Sequence, residues 1–244
     1  MITTSDVEEA VQEKPPELSS PEKSPGKRRR VVAERMVRSK QEVPHFYLMA
    51  DVDMSQVDAL RAYCQQTLSW ERPPTYTDVI VRACALALSR LPQFNVSYKE
   101  GRVVQHDGVN IGVAAGLPEG LLVPVVAAAD ELSLARLSGQ MRQLIGRARK
   151  GRLHTGDVGQ RSMVISNLGM HGVDAFVAII DIPDPMILAV GRVSERVVPV
   201  AGQPVIRPMC TLTLSVDHRV FDGVEGAQFL ERIKLLLEQP FELL

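Results

Sequence analysis

The residues with the clearest chemical potential stand together near the C-terminus, in Ser215-Val216-Asp217-His218-Arg219-Val220-Phe221-Asp222-Gly223. The apolar run Met209–Val216 before them predicts a buried strand, and Val224–Glu238 after them predicts an amphipathic helix. His218 therefore falls on a strand-to-helix connection, with Asp222 four residues on. A histidine held on a rigid corner is a candidate general base, because imidazole titrates near neutrality. Asp222 stands where a helix N-cap belongs, and Gly223 lets the backbone turn closely there. On spacing alone the plainer reading is favoured: a helix cap that happens to follow a histidine, since His-x-x-x-Asp is a short pattern.

The elements that must position this corner are legible in the 244-residue chain. Residues 1–26 carry Pro15, Pro16, Pro21 and Pro25 with several Glu and Ser. Such a stretch buries too little apolar surface to offset its ordering, and it is expected to be disordered. Residues 27–244 are expected to form one domain. Its first feature is the basic run Lys27-Arg28-Arg29-Arg30, read as a solvated collar or as a contact for the phosphates of a nucleotide-bearing substrate.

A short helix is expected over Val31–Lys40, with Val32, Met36 and Val37 inward, then a strand over Phe46–Asp53. Ser55 is expected to cap a helix burying Val57, Leu60, Cys64 and Leu68, and Thr77 to cap a buried helix running to Arg90. Strands are expected over Val96–Val104, Val109–Ala115 and Leu121–Ala127, with Pro124 marking an edge or bulge. Leu134, Leu137, Met141, Leu144, Ile145 and Ala148 form one helical stripe, and Gly151 stops that helix. Further strands are expected at Ser162–Ser166, Phe176–Ile180 and Ile187–Arg192, with a hairpin around Ala201-Gly202-Gln203. Together these predict an α/β domain, a mixed sheet covered by helices.

Composition narrows the function classes. The chain is 45% hydrophobic with a formal net charge of −1, which favours neither nucleic acid nor an anionic membrane as partner. Cys64, Cys84 and Cys210 are odd in number and lack metal-ligand spacing, so they read as thiols of a reducing compartment and no metal is expected. No apolar run reaches the ~18–20 residues of a membrane span, and the N-terminus is acidic and lacks a signal-peptide core. A cytoplasmic protein is expected.

The stretch around His218 resembles the Asp-His-Arg-x-x-Asp-Gly signature of the catalytic domain of dihydrolipoyl acyltransferases, the core subunits of 2-oxo acid dehydrogenase complexes and relatives of chloramphenicol acetyltransferase. Ser166-Asn167-Leu168-Gly169-Met170 resembles the family's second signature, at the family's separation. Val43–Tyr47, Thr77–Ile80, Gly120–Val126 and Ile187–Gly191 also resemble family segments, in family order. The resemblance runs from about Lys27 to Leu244.

It implies the two-layer α/β sandwich of the chloramphenicol acetyltransferase type. It also implies acyl-coenzyme A as co-substrate, with His218 as general base, Ser166 as oxyanion donor and Asp222 holding the histidine loop. Asn167, Phe176 and Leu188 align with substrate-side positions, although Phe176 and Leu188 are equally plausible core residues. Acyl transfer is expected in a ternary complex without an acyl-enzyme. The resemblance further implies a homotrimer, or a larger assembly of trimers, with the histidine and serine of each site on different subunits. His45, His106, His154 and His171 are expected to be structural or exposed.

Three readings of the function remain. The chain has too few residues before position 27 for a lipoyl or subunit-binding module. No lipoyl group is expected on it, and it has Asp181-Ile182-Pro183-Asp184 where the family usually has Asn-Pro-Pro-Gln. Gly116-Leu117-Pro118-Glu119 likewise replaces the usual Thr-Pro before Gly-Leu. These departures favour a free-standing enzyme moving a short acyl group from coenzyme A to a small-molecule hydroxyl, like the O-acetyltransferases of tetronate biosynthesis. The second reading is the catalytic core of a 2-oxo acid dehydrogenase complex. The third is a non-catalytic scaffold, which would need neither His218 nor Ser166.

Overall fold

Strand β11 (Gln203–Asp217) organises the sheet, and it ends one residue before His218. The structure is a computed structural model and describes residues 26–117 and 120–244. The stretch expected to be disordered lies outside the described residues except for Gly26. In chain order the helices are α1 (Lys27–Glu42), α2 (Ser55–Gln66), α3 (Tyr76–Arg90), α4 (Leu134–Arg149) and α5 (Gly223–Glu238). The other strands are β1 (His45–Asp53), β2 (Val96–Lys99), β3 (Arg102–Gln105), β4 (Ile111–Val113), β5 (Ala115–Leu117), β6 (Gly120–Leu122), β7 (Val125–Val126), β8 (Met163–Asn167), β9 (Met186–Val190) and β10 (Ser194–Val200).

The main sheet has the order β1-β11-β9-β8-β4-β7, and β10 pairs with the first half of β11. β8 runs parallel to β4 and β9, whereas β1, β9 and β10 run antiparallel to β11. The sheet is thus mixed, as the sequence predicts. Along β11, Leu212, Leu214 and Val216 point into the main core with Ile165, Leu188 and Val190, under the buried faces of α2, α3 and α5. Alternate residues point to the opposite face. There Val164 and Ile187 meet Val43 and Ile180, which belong to segments crossing the sheet.

Local chemistry fixes the element ends. α5 begins with a full capping box: Asp222 accepts from the backbone N–H groups of Val224 and Glu225, and Glu225 accepts from that of Asp222. α3 begins the same way, but its N-cap is Thr75, with Asp78 completing the box, two residues before the expected Thr77. The N-cap of α2 is Met54; Ser55 is instead the first helical residue and donates to Asp53. Val37 on α1 is 55% exposed and Leu68 is 41% exposed, so neither joins the core as expected.

Pro124 separates β6 from β7 at the sheet's edge, and its carbonyl accepts the Val113 N–H. The expected Phe176–Ile180 strand does not form. That segment instead crosses the sheet: the Ala178 carbonyl accepts from Ser215 Oγ, the Ile180 carbonyl from Ser39 Oγ, and the Ile180 N–H donates to His45 Nε2.

Candidate active site

His218 sits on a corner built from four directions. Its backbone N–H donates to the Pro44 carbonyl at 3.0 Å. The Asp217 carbonyl accepts from both Val220 and Phe221, closing the turn around it. Phe221 is 5% exposed and packs tilted against Phe94, which in turn stacks on Phe229 of α5, with centroid distances of 4.8 and 4.9 Å. The imidazole itself is exposed and lies 4.7 Å from the Phe46 ring. Among the described residues its ring makes no hydrogen bond, so its nitrogens are free for a substrate.

The residues flanking the histidine form an anchor that the sequence reading did not identify. Asp217 is 2% exposed and receives the Arg219 guanidinium through Nε at 3.0 Å and Nη2 at 2.7 Å. The guanidinium also lies over the Tyr98 ring at 4.2 Å. Asp217 holds Arg219 even more firmly protonated than usual. The Asp-x-Arg spacing around His218 is the signal for the ion pair; Tyr98 leaves no such signal, being 120 residues away in the chain.

Asp222 touches the start of α5 and not the imidazole. It acts on the corner by fixing where the helix begins. His45 plays a comparable structural part. Its Nδ1–H donates to the Val43 carbonyl at 2.8 Å and its Nε2 accepts the Ile180 N–H at 3.1 Å, an assignment that requires the neutral ring. Burial lowers its pKa accordingly. His106 is buried on the β2–β3 hairpin, and His154 and His171 are exposed.

Ser166 lies at the other end of the sheet's central strands. It is paired with Ala189, and Ala189 with Thr213, which places it two strands from β11. Asp217, next to His218, lies four residues further along β11. At about 3.3 Å per residue and about 4.8 Å between strands, Ser166 and that end of β11 are roughly 16 Å apart. One reacting carbonyl cannot touch both side chains of one chain.

Asn167 is occupied internally: its Oδ1 accepts the Gly169 N–H at 2.8 Å and its Nδ2 donates to Thr77 Oγ1 at 3.0 Å. Gly169 is required because a Cβ there would come within 2.7 Å of the Gly191 carbonyl. Phe176 is half-buried in the crossing segment. Leu188 is fully buried in the helix-side core and lines no surface. Among the described residues no group of three His, Cys, Asp or Glu could hold a metal, and no helix is long and apolar enough to cross a membrane.

The altered tetrapeptide Asp181-Ile182-Pro183-Asp184 builds a charge cluster under the crossing segment. Asp181 pairs with Arg35 of α1 at 2.8 Å and with Arg161 at 2.9 Å. Asp184 is 4% exposed and sits 2.8 Å from Arg161 Nε. Burial outweighs the arginine and pushes the Asp184 pKa up to about 7.

Known proteins resemble the chain along nearly its whole length. The family model described as 2-oxoacid dehydrogenases acyltransferase (catalytic domain) matches residues 21–244. The dihydrolipoyllysine-residue acetyltransferase component of the pyruvate dehydrogenase complex of Rhizobium meliloti is 37% identical over 221 residues, covering 88% of this chain and 49% of that protein. The chain thus spans about half the length of the curated relatives it matches.

Two solved structures superpose with a TM-score of 0.86 at 31% identity, each covering 92% of this chain and 94% of the other. One is the Azotobacter vinelandii dihydrolipoamide acetyltransferase, solved to define the role of a serine, a histidine and an asparagine in its catalytic mechanism. The other is the cubic core of the pyruvate dehydrogenase multienzyme complex. Chloramphenicol acetyltransferase, at 13% identity and a TM-score of 0.51, shares the fold.

These findings overturn the expectation of a tetronate-type O-acetyltransferase of natural-product biosynthesis. That expectation rested on the few residues before position 27, on the altered tetrapeptide and on the Gly116–Glu119 departure. The tetrapeptide's aspartates are engaged with Arg35 and Arg161, and the relatives are components of a 2-oxo acid dehydrogenase complex. By the match of 21–244 and by these relatives, the chain belongs to the family of 2-oxo acid dehydrogenase acyltransferase catalytic domains.

Proposed function

We propose that this chain is the catalytic core of a dihydrolipoyllysine acyltransferase, moving an acetyl or other short acyl group between dihydrolipoamide and coenzyme A. The observation that carries the reading is a spacing. In the Azotobacter enzyme the serine and histidine are 52 positions apart and the asparagine follows four later; Ser166, His218 and Asp222 keep the same intervals. The acceptor is a lipoyl group supplied by a partner domain.

His218 takes the proton of the attacking thiol as the thiol adds to the thioester carbonyl. The Ser166 hydroxyl donates to the oxyanion that forms, and His218 returns its proton to the departing thiolate. Asp222, Asp217 and Arg219 hold the corner without touching the reacting atoms. The separation of Ser166 from His218 within one chain favours a site shared between two copies, in keeping with a trimer and with the cubic assembly of the relative.

The test is turnover of acetyl-coenzyme A with free dihydrolipoamide. We expect release of coenzyme A, abolished in His218→Ala and lowered about a hundred- to a thousand-fold in Ser166→Ala. Turnover that survives His218→Ala, or an acyl adduct trapped on Ser166, would sink the mechanism.

A further inference from the structure

The segment Pro183-Asp184-Pro185 forms a strut behind the His218 corner. The Pro185 carbonyl accepts the Asp217 N–H at 2.9 Å, and the Pro183 carbonyl accepts the Tyr98 N–H at 3.3 Å. Asp217 holds the Arg219 guanidinium at 2.7 Å, and the Tyr98 ring lies against that guanidinium at 4.2 Å. Both neighbours of His218 thus lean on one segment, Asp217 through its backbone and Arg219 through Tyr98.

The middle residue of the strut carries a charge. Asp184 is 4% exposed, and its Oδ2 lies 2.8 Å from Arg161 Nε. The arginine is itself fixed. Its stem fills the space beside Gly112 of β4, where a Cβ would come within 2.6 Å of Arg161 Cδ. The N–H of the next residue, Ser162, donates to the Asn110 carbonyl at 2.8 Å. Arg161 Nη2 also donates to Asp181 at 2.9 Å, and Asp181 pairs with Arg35 of α1 at 2.8 Å. Arg161, Asp181 and Arg35 are the charged groups that face Asp184. With Asp184 ionised, the Arg161 guanidinium is bracketed by two carboxylates, and the strut is pinned at its centre. With Asp184 neutral, Arg161 answers to Asp181 alone, and the strut keeps only its backbone contacts.

We propose that ionised Asp184, acting through Arg161, is a positioning residue for His218. The inference rests on His218 being the base of the acyl transfer proposed above, and it adds a second ionisation to that step. The ion pair fixes the strut, the strut fixes Asp217 and Tyr98, and these hold the imidazole where the thiol proton is taken. Misplacing a reacting group by about 1 Å costs about a hundredfold in rate, so a strut loosened by part of that is expected to cost about tenfold. Burial brings the Asp184 ionisation up to about 7. The positioning charge is therefore present at pH 8 and mostly neutralised at pH 6.

Asp184→Asn keeps the shape of the side chain and imitates its protonated form. Steady-state kinetics with acetyl-coenzyme A and dihydrolipoamide, with thermal melts alongside, compare it with the wild type across this pH range. At pH 8 the variant is expected to lose about tenfold in kcat, with both KM values unchanged and a melting temperature no lower than the wild type's. At pH 6 the two should differ by about twofold or less, because the wild type is then itself protonated at position 184. A merely structural role would give a deficit that follows the melting temperature and not the pH.

Wild-type kcat in Asp184→Asn at pH 8, or a deficit of equal size at pH 6 and pH 8, would overturn the inference and leave the acyltransferase reading standing. If the variant does not fold, the wild-type profile decides: two ionisations on its acid limb support the inference, and one overturns it. A wild type without turnover would overturn the acyltransferase reading itself.

Discussion

At the scale of single residues the candidate site separates groups proposed to face substrate from groups that hold them. Among the described residues the His218 ring and the Ser166 hydroxyl make no hydrogen bond, whereas Asp222, Asn167, Asp217 and His45 are committed to internal hydrogen bonds. Asp222 was legible from the sequence as a helix cap, because its spacing from the apolar stripe of α5 permits little else. Its work is acceptance of two backbone N–H groups, which an asparagine oxygen can also perform. Asp222→Asn is therefore expected to retain most activity. Asp222→Ala should lose about 1 kcal/mol of stability and a larger share of kcat, as the corner loosens. Thermal melts and steady-state kinetics on both variants check this; equal damage from Asn and Ala would mean that the charge, and not the cap, matters.

At the scale of elements, the periodicities of α4 and α5 were readable because each buries one stripe against the sheet. The Phe176–Ile180 segment was misread for a physical reason. Its apolar residues face the sheet as those of a strand would, but its backbone groups are satisfied by Ser215, Ser39 and His45 side chains and not by a neighbouring strand. No local pattern announces partners scattered from position 39 to 215.

The same segment leads to the Asp181–Arg161–Asp184 cluster, whose pH response has a defined sign. The folded-state pKa of Asp184 is raised above its ordinary value of 3.8, to about 7. The folded chain therefore binds this proton more tightly than the unfolded chain. Stability from this group is present at low pH and falls as pH rises from about 4 toward 7, by at most about 1.4 kcal/mol per pH unit. Asp184→Asn should flatten that slope and melt above the wild type at pH 8. A variant that melts lower than the wild type at pH 8 would show that the ion pair with Arg161 outweighs its desolvation.

At the scale of the whole molecule, the sheet places Ser166 on β8 and His218 just past the end of β11, in a register that keeps the two proposed catalytic groups apart within one chain. That separation was out of reach from sequence, because register is set by long-range pairing; the shared site entered there only through family resemblance. A mixing experiment measures it directly. His218→Ala chains, inactive alone, and Ser166→Ala chains, nearly so, are unfolded together and reassembled in equal amounts. If each site draws its histidine and serine from different copies, about one quarter of the wild-type activity should return. Recovery of none would place both groups in one chain's site.

β11 also sets where this chain can tolerate a change of length. Side chains alternate along it between the helix-side core and the opposite face, and its last residue delivers the histidine. Losing or gaining one residue between Met209 and Asp217 would exchange the two faces and pull His218 out of step with Pro44 and Phe46, and Arg219 with Tyr98. At the other end, Ala201 and Gly202 form a two-residue turn with φ of 49° and 79°, joined to the core only through the strands it links. Insertions and deletions are absorbed at that tip, so descendants of this sequence can lengthen the hairpin freely while the nine residues before the histidine keep their number.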